Sequence, residues 1–242
     1  MARKARINIP GMPYHVIQRG NNRQACFFAD EDYRFYLECL QEALEKYHCE
    51  LHAYVLMTNH VHLLVTTHKD DGISRLMQSI GRRYVQYINY TYRRTGTLWE
   101  GRFKSSLVDA DNYLLTCQRY IELNPVRAAM VDSPDQYQWS SYRHNAFGVR
   151  NELITAHALY TQLGSTNEFR QQQYRELFRN QMSNDTLHDI RESLSTCTIL
   201  GNDHFKEQIG KMLKRSVRSV HVGRPRKYKV REPKAYYAVN RL

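Results

Sequence analysis

Leu51-His52-Ala53-Tyr54-Val55-Leu56-Met57-Thr58-Asn59-His60-Val61-His62-Leu63-Leu64-Val65-Thr66 decides how this chain folds. Two apolar, partly β-branched runs flank Thr58-Asn59, which reads as a tight turn, so they pair as a hairpin with His60 and His62 on the second strand. Residues two apart in a strand share a face, so these histidines can offer two imidazoles to one divalent cation while Val61 faces the core. Upstream, Tyr14–Arg19 alternates loosely and stops at Gly20-Asn21-Asn22, a strand and turn. Asp30-Glu31-Asp32 then opens a helix to about Tyr47, with Phe35, Leu37, Leu40, Leu44 and Tyr47 at helical spacing.

Downstream, Ile73, Leu76, Met77, Ile80, Tyr84, Tyr87 and Ile88 repeat at helical spacing from Gly72 to about Arg93. Arg75, Arg82 and Arg83 occupy the other positions, as a solvated surface would place them. Thr95-Gly96-Thr97 is a loop, Ser105–Val108 a short strand and Asp109 to Leu123 another helix. The order strand, helix, strand, strand, helix, strand, helix gives an α+β, ferredoxin-like sheet, one face covered by helices and the other available to a ligand. That sheet sets the histidine strand beside the last helix, which carries Tyr120 and Asn124 one turn apart.

Composition narrows the partners. The 242 residues carry a formal charge of +11, which points to a polyanion, nucleic acid or an anionic membrane surface. No run of about 18 apolar residues suggests a membrane span, and the basic N-terminus leads into no signal core, so the expectation is a cytoplasmic protein. The five cysteines, Cys26, Cys39, Cys49, Cys117 and Cys197, form no Cys-x-x-Cys pair and read as small buried hydrophobes. The first 149 residues form one domain; 150–215, with polar helix-prone stretches such as Glu168 to Met182, a helical appendage; and 216–242 a basic tail. Within the tail Gly223-Arg224-Pro225-Arg226-Lys227 resembles an AT-hook core or serves as a plain phosphate-binding segment, a DNA-affinity element either way.

Two imidazoles, a carboxamide oxygen and a nearby phenol are the parts of a metal-assisted phosphodiester cleavage with tyrosine as nucleophile. Imidazoles and an amide bring no negative charge, which leaves coordination positions for phosphate oxygens and favours Mg2+ or Mn2+, although imidazoles alone also welcome zinc. Each residue has a plainer role. Tyr120 can be core, and Asn124, before Pro125, can cap the helix that begins there. His15 and His52 read as packing or hydrogen-bonding groups.

Several segments together resemble the REP-associated tyrosine transposases, relatives of the single-tyrosine HUH transposases. They are Pro13-Tyr14-His15-Val16, Arg19-Gly20-Asn21-Asn22-Arg23, Met57-Thr58-Asn59-His60-Val61-His62-Leu63-Leu64, Gly96-Thr97-Leu98-Trp99-Glu100-Gly101-Arg102-Phe103-Lys104-Ser105-Ser106, Tyr120-Ile121-Glu122-Leu123-Asn124-Pro125-Val126-Arg127-Ala128 and Trp139-Ser140-Ser141-Tyr142. The resemblance covers residues 1 to about 149. It implies an HUH nuclease fold with His60, His62 and Asn124 as metal ligands and Tyr120 as the nucleophile. It also implies single-stranded or hairpin repeat DNA as substrate, a 5'-phosphotyrosine intermediate, and DNA contacts at Arg19, Asn21, Arg23 and Arg102. Members act as monomers or homodimers. Two rivals stay open: a domesticated, non-cleaving protein that binds repeat DNA, and a zinc hydrolase in which water attacks.

Overall fold

The computed structural model describes residues 6–214. Its elements begin β1 (Pro13–Arg19), α1 (Asp30–Tyr47), β2 (Cys49–Met57), β3 (His60–Thr67), α2 (Gly72–Thr91), β4 (Lys104–Val108) and α3 (Ala110–Glu122). The chain continues through α4 (Asn124–Arg127), α5 (Tyr142–Phe147), α6 (Ala158–Thr161), α7 (Asn167–Glu176), α8 (Asn184–Thr196), β5 (Ile199–Leu200) and α9 (Asp203–Met212). The first seven elements follow the expected order, with ends within two residues of those read from the sequence. Helix α7 stops at Glu176, short of the stretch that composition marked as far as Met182.

The sheet runs β2-β3-β1-β4-β5. β1 lies antiparallel between β3 and β4, with Ile17 opposite His62 and Arg19 opposite His60. This is the ferredoxin-like arrangement, extended by β5 parallel to β4. Alternation along the strands divides two cores. Val16, Leu56, Val61, Leu63 and Val65 face α1 and α2, where Tyr36, Leu40, Leu76, Ile80 and Tyr84 are buried. Ala53, Val55, Met57 and Leu64 face the other way, against Leu114, Cys117, Tyr120 and Ile121 of α3 and Ile190 and Leu194 of α8.

This second face was expected to be open to a ligand, and it is not. Its four aliphatic side chains would leave a continuous apolar surface in water, at about 25 cal/mol for each Å² exposed. Helices α3 and α8 cover it, and only the corner holding His15, His60 and His62 carries imidazoles next to Tyr120. Residues after 149 therefore contribute to the main core as well as to their own cluster around Tyr142, Tyr160 and Tyr174. They also guard the sheet edges: β5 lies beyond β4, and Ile154 bridges to β2 at Leu51, beside the earlier Ser140 bridge to Val55.

All five cysteines are free, and all but Cys197 are buried. Among the described residues no helix is long and apolar enough to cross a membrane.

Candidate active site

Strand pairing assembles the histidines. His60 and His62 are two apart on β3, and β1 brings His15 alongside, its Nε2 2.8 Å from His62 Nδ1. The His60 and His62 ring centroids are 5.1 Å apart. Tyr120, on the face of α3 turned to the sheet, stands edge-on to His62 at 5.9 Å and to His15 at 5.7 Å. Residues about sixty positions apart in sequence thus meet because α3 packs against this face. The expected pair and the tyrosine are in one cluster, and His15, expected as a packing or hydrogen-bonding group, is in it too, bonded to His62.

Burial keeps these imidazoles neutral. It depresses His15 to about 3 and His60 to about 4, with Arg127 adding to the first effect and Arg19 to the second. His62 is pushed well below its ordinary value by burial and by the neighbouring His15 and His60. Neutral rings at pH 7 keep one lone pair each, which a metal ligand requires. His52 is separate, bonded to Thr155 O at 2.7 Å and Thr66 Oγ1 at 2.8 Å. It has the hydrogen-bonding role that its sequence context suggested.

Asn124 does not cap the turn that begins at Pro125. Its Nδ2 donates to Tyr120 O at 3.0 Å and Ile121 O at 3.2 Å, closing the C-terminal end of α3. Carbonyl oxygens only accept, so the amide nitrogen must face them and Oδ1 is left for another partner. Capping and ligation therefore do not compete for one atom. Arg127 fastens the same helix end, donating to Tyr120 O at 2.7 Å with its guanidinium 4.1 Å from the Tyr120 ring centroid. Beneath lies Glu122, fully buried, accepting from Ser141 Oγ at 2.5 Å, Asn145 Nδ2 at 2.8 Å and the Tyr174 hydroxyl at 2.7 Å. Burial raises its carboxyl to about 7 against the pull of those three donors.

Donor atoms of the kinds a divalent cation takes remain without hydrogen-bond partners. Nε2 of His60, Nε2 of His62 and Oδ1 of Asn124 make no hydrogen bond among the described residues, yet none is sealed off as His15 Nδ1 is. The Tyr120 hydroxyl is within hydrogen-bonding reach of the Arg127 guanidinium, and the residue is only 6% exposed. Among the described residues no group of three or more His, Cys, Asp or Glu could hold a metal. The atoms left without partners are instead two imidazole nitrogens and an amide oxygen, donor types that leave charge and coordination positions open to phosphate oxygens.

Arg19, Asn21, Arg23 and Arg102 gather at the same end of the sheet. Arg19 pairs with His60, and the 3-10 turn Asn21–Arg23 follows. Arg19 O accepts from Glu100 N at 2.8 Å, and Asn21 N donates to Leu98 O at 2.8 Å, holding the loop of exposed Arg102 against the turn. Gly20 lets the turn close on itself: a Cβ there would lie 2.2 Å from Gln24 O. Arg224, Arg226 and Lys227 lie outside the described residues. Sequence reasoning missed Asn59, Arg127 and Glu122, which stand next to residues it singled out.

Residues 8–124 match the family model of the IS200-like transposases. This stretch is an IS200-like transposase domain. Among solved structures, the chain resembles a REP-associated tyrosine transposase bound to a REP hairpin, with a TM-score of 0.54 at 19% identity over 65% of this chain and 93% of that one. That likeness shows the fold. A candidate transposase from Deinococcus radiodurans R1 has a TM-score of 0.35 at 22% identity, covering 50% of this chain and 96% of its own. A bacterial tRNA(His) guanylyltransferase-like protein in complex with GTP has a TM-score of 0.35 at 16% identity, over 54% and 72%. At that level neither adds to the first. The sequence matches no curated protein.

Proposed function

We propose that this transposase domain is a DNA strand transferase whose nucleophile is Tyr120 and whose substrate is single-stranded, hairpin-forming repeat DNA. The observation that carries the reading is the meeting of the Tyr120 ring, with Arg127 on its hydroxyl, with the imidazole cluster of His15, His60 and His62. The Tyr120 oxygen bonds to phosphorus as the bond to the 3'-oxygen breaks, leaving a 5'-phosphotyrosine and a free 3'-hydroxyl. That hydroxyl can later reverse the step with no water consumed. His60, His62 and Asn124 would hold Mg2+ or Mn2+, which supplies Lewis-acid polarisation of the phosphate. Arg19, Asn21, Arg23 and Arg102 would grip the DNA backbone beside it. The REP hairpin bound by the similar structure supports this class of partner.

The test is incubation with labelled single-stranded hairpins from repeats of the source genome, with Mn2+ or Mg2+, and a search for a denaturant-resistant adduct. The expected outcome is an adduct lost in Tyr120→Phe and in His60→Ala. Turnover that survives Tyr120→Phe would replace the reading with hydrolysis by water. Tight binding without an adduct, across several repeats and both metals, would replace it with a non-cleaving repeat-binding protein.

A further inference from the structure

The two histidines differ from ordinary strand histidines in what their Nδ1 atoms touch. His60 Nδ1 is 2.6 Å from Asn59 Oδ1. The orientation of that amide is set from its other side, because Asn59 Nδ2 donates to Arg23 O at 3.0 Å. A carbonyl oxygen cannot donate, so Oδ1 must face His60 and can only accept from it. His60 therefore carries its proton on Nδ1, and its Nε2 lone pair points away, unbonded. One side chain thereby fixes the ring's tautomer and its rotation together.

His62 meets a different partner. Its Nδ1 faces His15 Nε2 across 2.8 Å, a bond that needs one proton from either ring. If His15 donates, His62 keeps a proton on Nε2 and cannot ligate there. If His62 donates, its Nε2 lone pair is free, and the proton of His15 moves to Nδ1, which is buried without a partner. His15 Nδ1 lacks a partner in either arrangement, but a buried N–H left unpaired, at a cost on the order of 1–3 kcal/mol, is tolerated more rarely than an unpaired acceptor. The metal-free protein therefore favours the first arrangement and a cation on Nε2 the second. His15 has no exposed surface. Arg127 and Tyr120 adjoin it, and among the described residues no carboxylate bonds to the imidazole cluster.

We propose that Asn59 and His15 are positioning residues for the metal site: Asn59 presets the His60 tautomer for ligation, and His15 accepts the Nδ1 proton of His62 when a cation binds. The inference rests on the metal reading above and adds an asymmetry to it. One imidazole is ready in advance, and the other changes tautomer as the ion arrives. Removing an outer partner of this kind lowers metal affinity about 10- to 100-fold.

The experiment uses the full chain, Mn2+ or Mg2+ alone and no DNA. Free Mn2+ is followed by electron paramagnetic resonance, and the imidazole tautomers by nitrogen NMR with and without diamagnetic Mg2+. His60 is expected to be protonated on Nδ1 throughout, and His62 to move from Nε2–H to Nδ1–H on Mg2+ addition. Asn59→Ala should weaken Mn2+ binding about 10- to 100-fold. Asn59→Asp, which keeps an acceptor, should retain the His60 tautomer and most of the affinity. Because His15 is buried, His15→Leu is paired with His15→Gln, which retains an acceptor and should bind Mn2+ more tightly than the leucine variant.

Mn2+ affinity unchanged in Asn59→Ala, or His60 protonated on Nε2 in the wild type, would overturn the proposal and leave the metal reading standing. Wild type binding Mn2+ no better than His60→Ala would end the metal reading and this proposal together.

Discussion

The Tyr120 hydroxyl interacts with the Arg127 guanidinium, and its ring packs against His15, His62 and that same guanidinium. Tyr120→Phe should therefore cost about 0.5–1.5 kcal/mol of stability, one hydrogen bond's worth, while abolishing any covalent DNA adduct. Urea unfolding beside the adduct assay checks both halves, and a larger loss would mean that the hydroxyl serves the fold beyond this one contact. Glu122, two residues on, behaves oppositely. Its carboxyl is raised from about 4.5 to about 7 by burial, so the native state holds its proton more tightly than the unfolded chain does. The stability linked to that proton is present below pH 4.5 and is lost as pH rises through 7. Glu122→Gln cannot ionise, and should gain on the wild type by roughly 3 kcal/mol between about pH 4.5 and about pH 8. Parallel pH profiles for the two proteins would remove Glu122 as the cause. His60, His62, Tyr120 and Asn124 stood out in the sequence because their spacing has meaning within a single strand or helix. His15 and Glu122 did not, because their partners come from other elements, and Asn59 did not, because its amide is turned toward the adjacent His60 by Arg23, which only the folded chain brings near.

Element by element, helical and strand periodicity located β1 to α3 because each buries a regular face. Covering of the second sheet face was not legible, since the helix that helps close it, α8, lies more than a hundred residues beyond the hairpin. Two glycines in α2 test the packing directly. Gly72, at the first turn, sits against β3: an added Cβ would lie 1.8 Å from Thr67 Oγ1, which bonds to the backbone of Lys69. Gly72→Ala should destabilise by about 1–3 kcal/mol, as overpacking does. Gly81 lies in the same helix with nothing within 4 Å of its would-be Cβ. Gly81→Ala should stabilise by about 0.5–1 kcal/mol, because alanine loses less backbone freedom on folding. Thermal unfolding of both variants decides it. The same sign for the two would show that helix propensity, not the packing against Thr67, governs this helix.

Across the whole molecule, charge is divided unevenly. Residues 215–242 hold nine Lys and Arg against Glu232 alone, or +8, and residues 1–5 add +2, so 6–214 carry only +1 of the +11. Residues 6–214 therefore attract polyanions little through net charge alone. Their cations matter where they gather, at the Arg19, Arg23 and Arg102 end of the sheet. Removing 215–242 should separate affinity from chemistry. Each phosphate deprived of its cationic partner takes about 0.7 from the slope of log affinity against log salt on single strands, so about four such phosphates would flatten it by about 3. Affinity at low salt should fall steeply, while adduct formation at saturating DNA proceeds at the wild-type rate, since His15, Asn59, His60, His62, Tyr120 and Asn124 all lie within the retained fold. Fluorescence anisotropy over a salt series, paired with single-turnover adduct assays, measures both. An unchanged slope would show that the basic terminus does not touch the DNA and that the rim arginines carry the electrostatics. Failure to form the adduct at saturation would show that the terminus helps place the scissile phosphate at Tyr120.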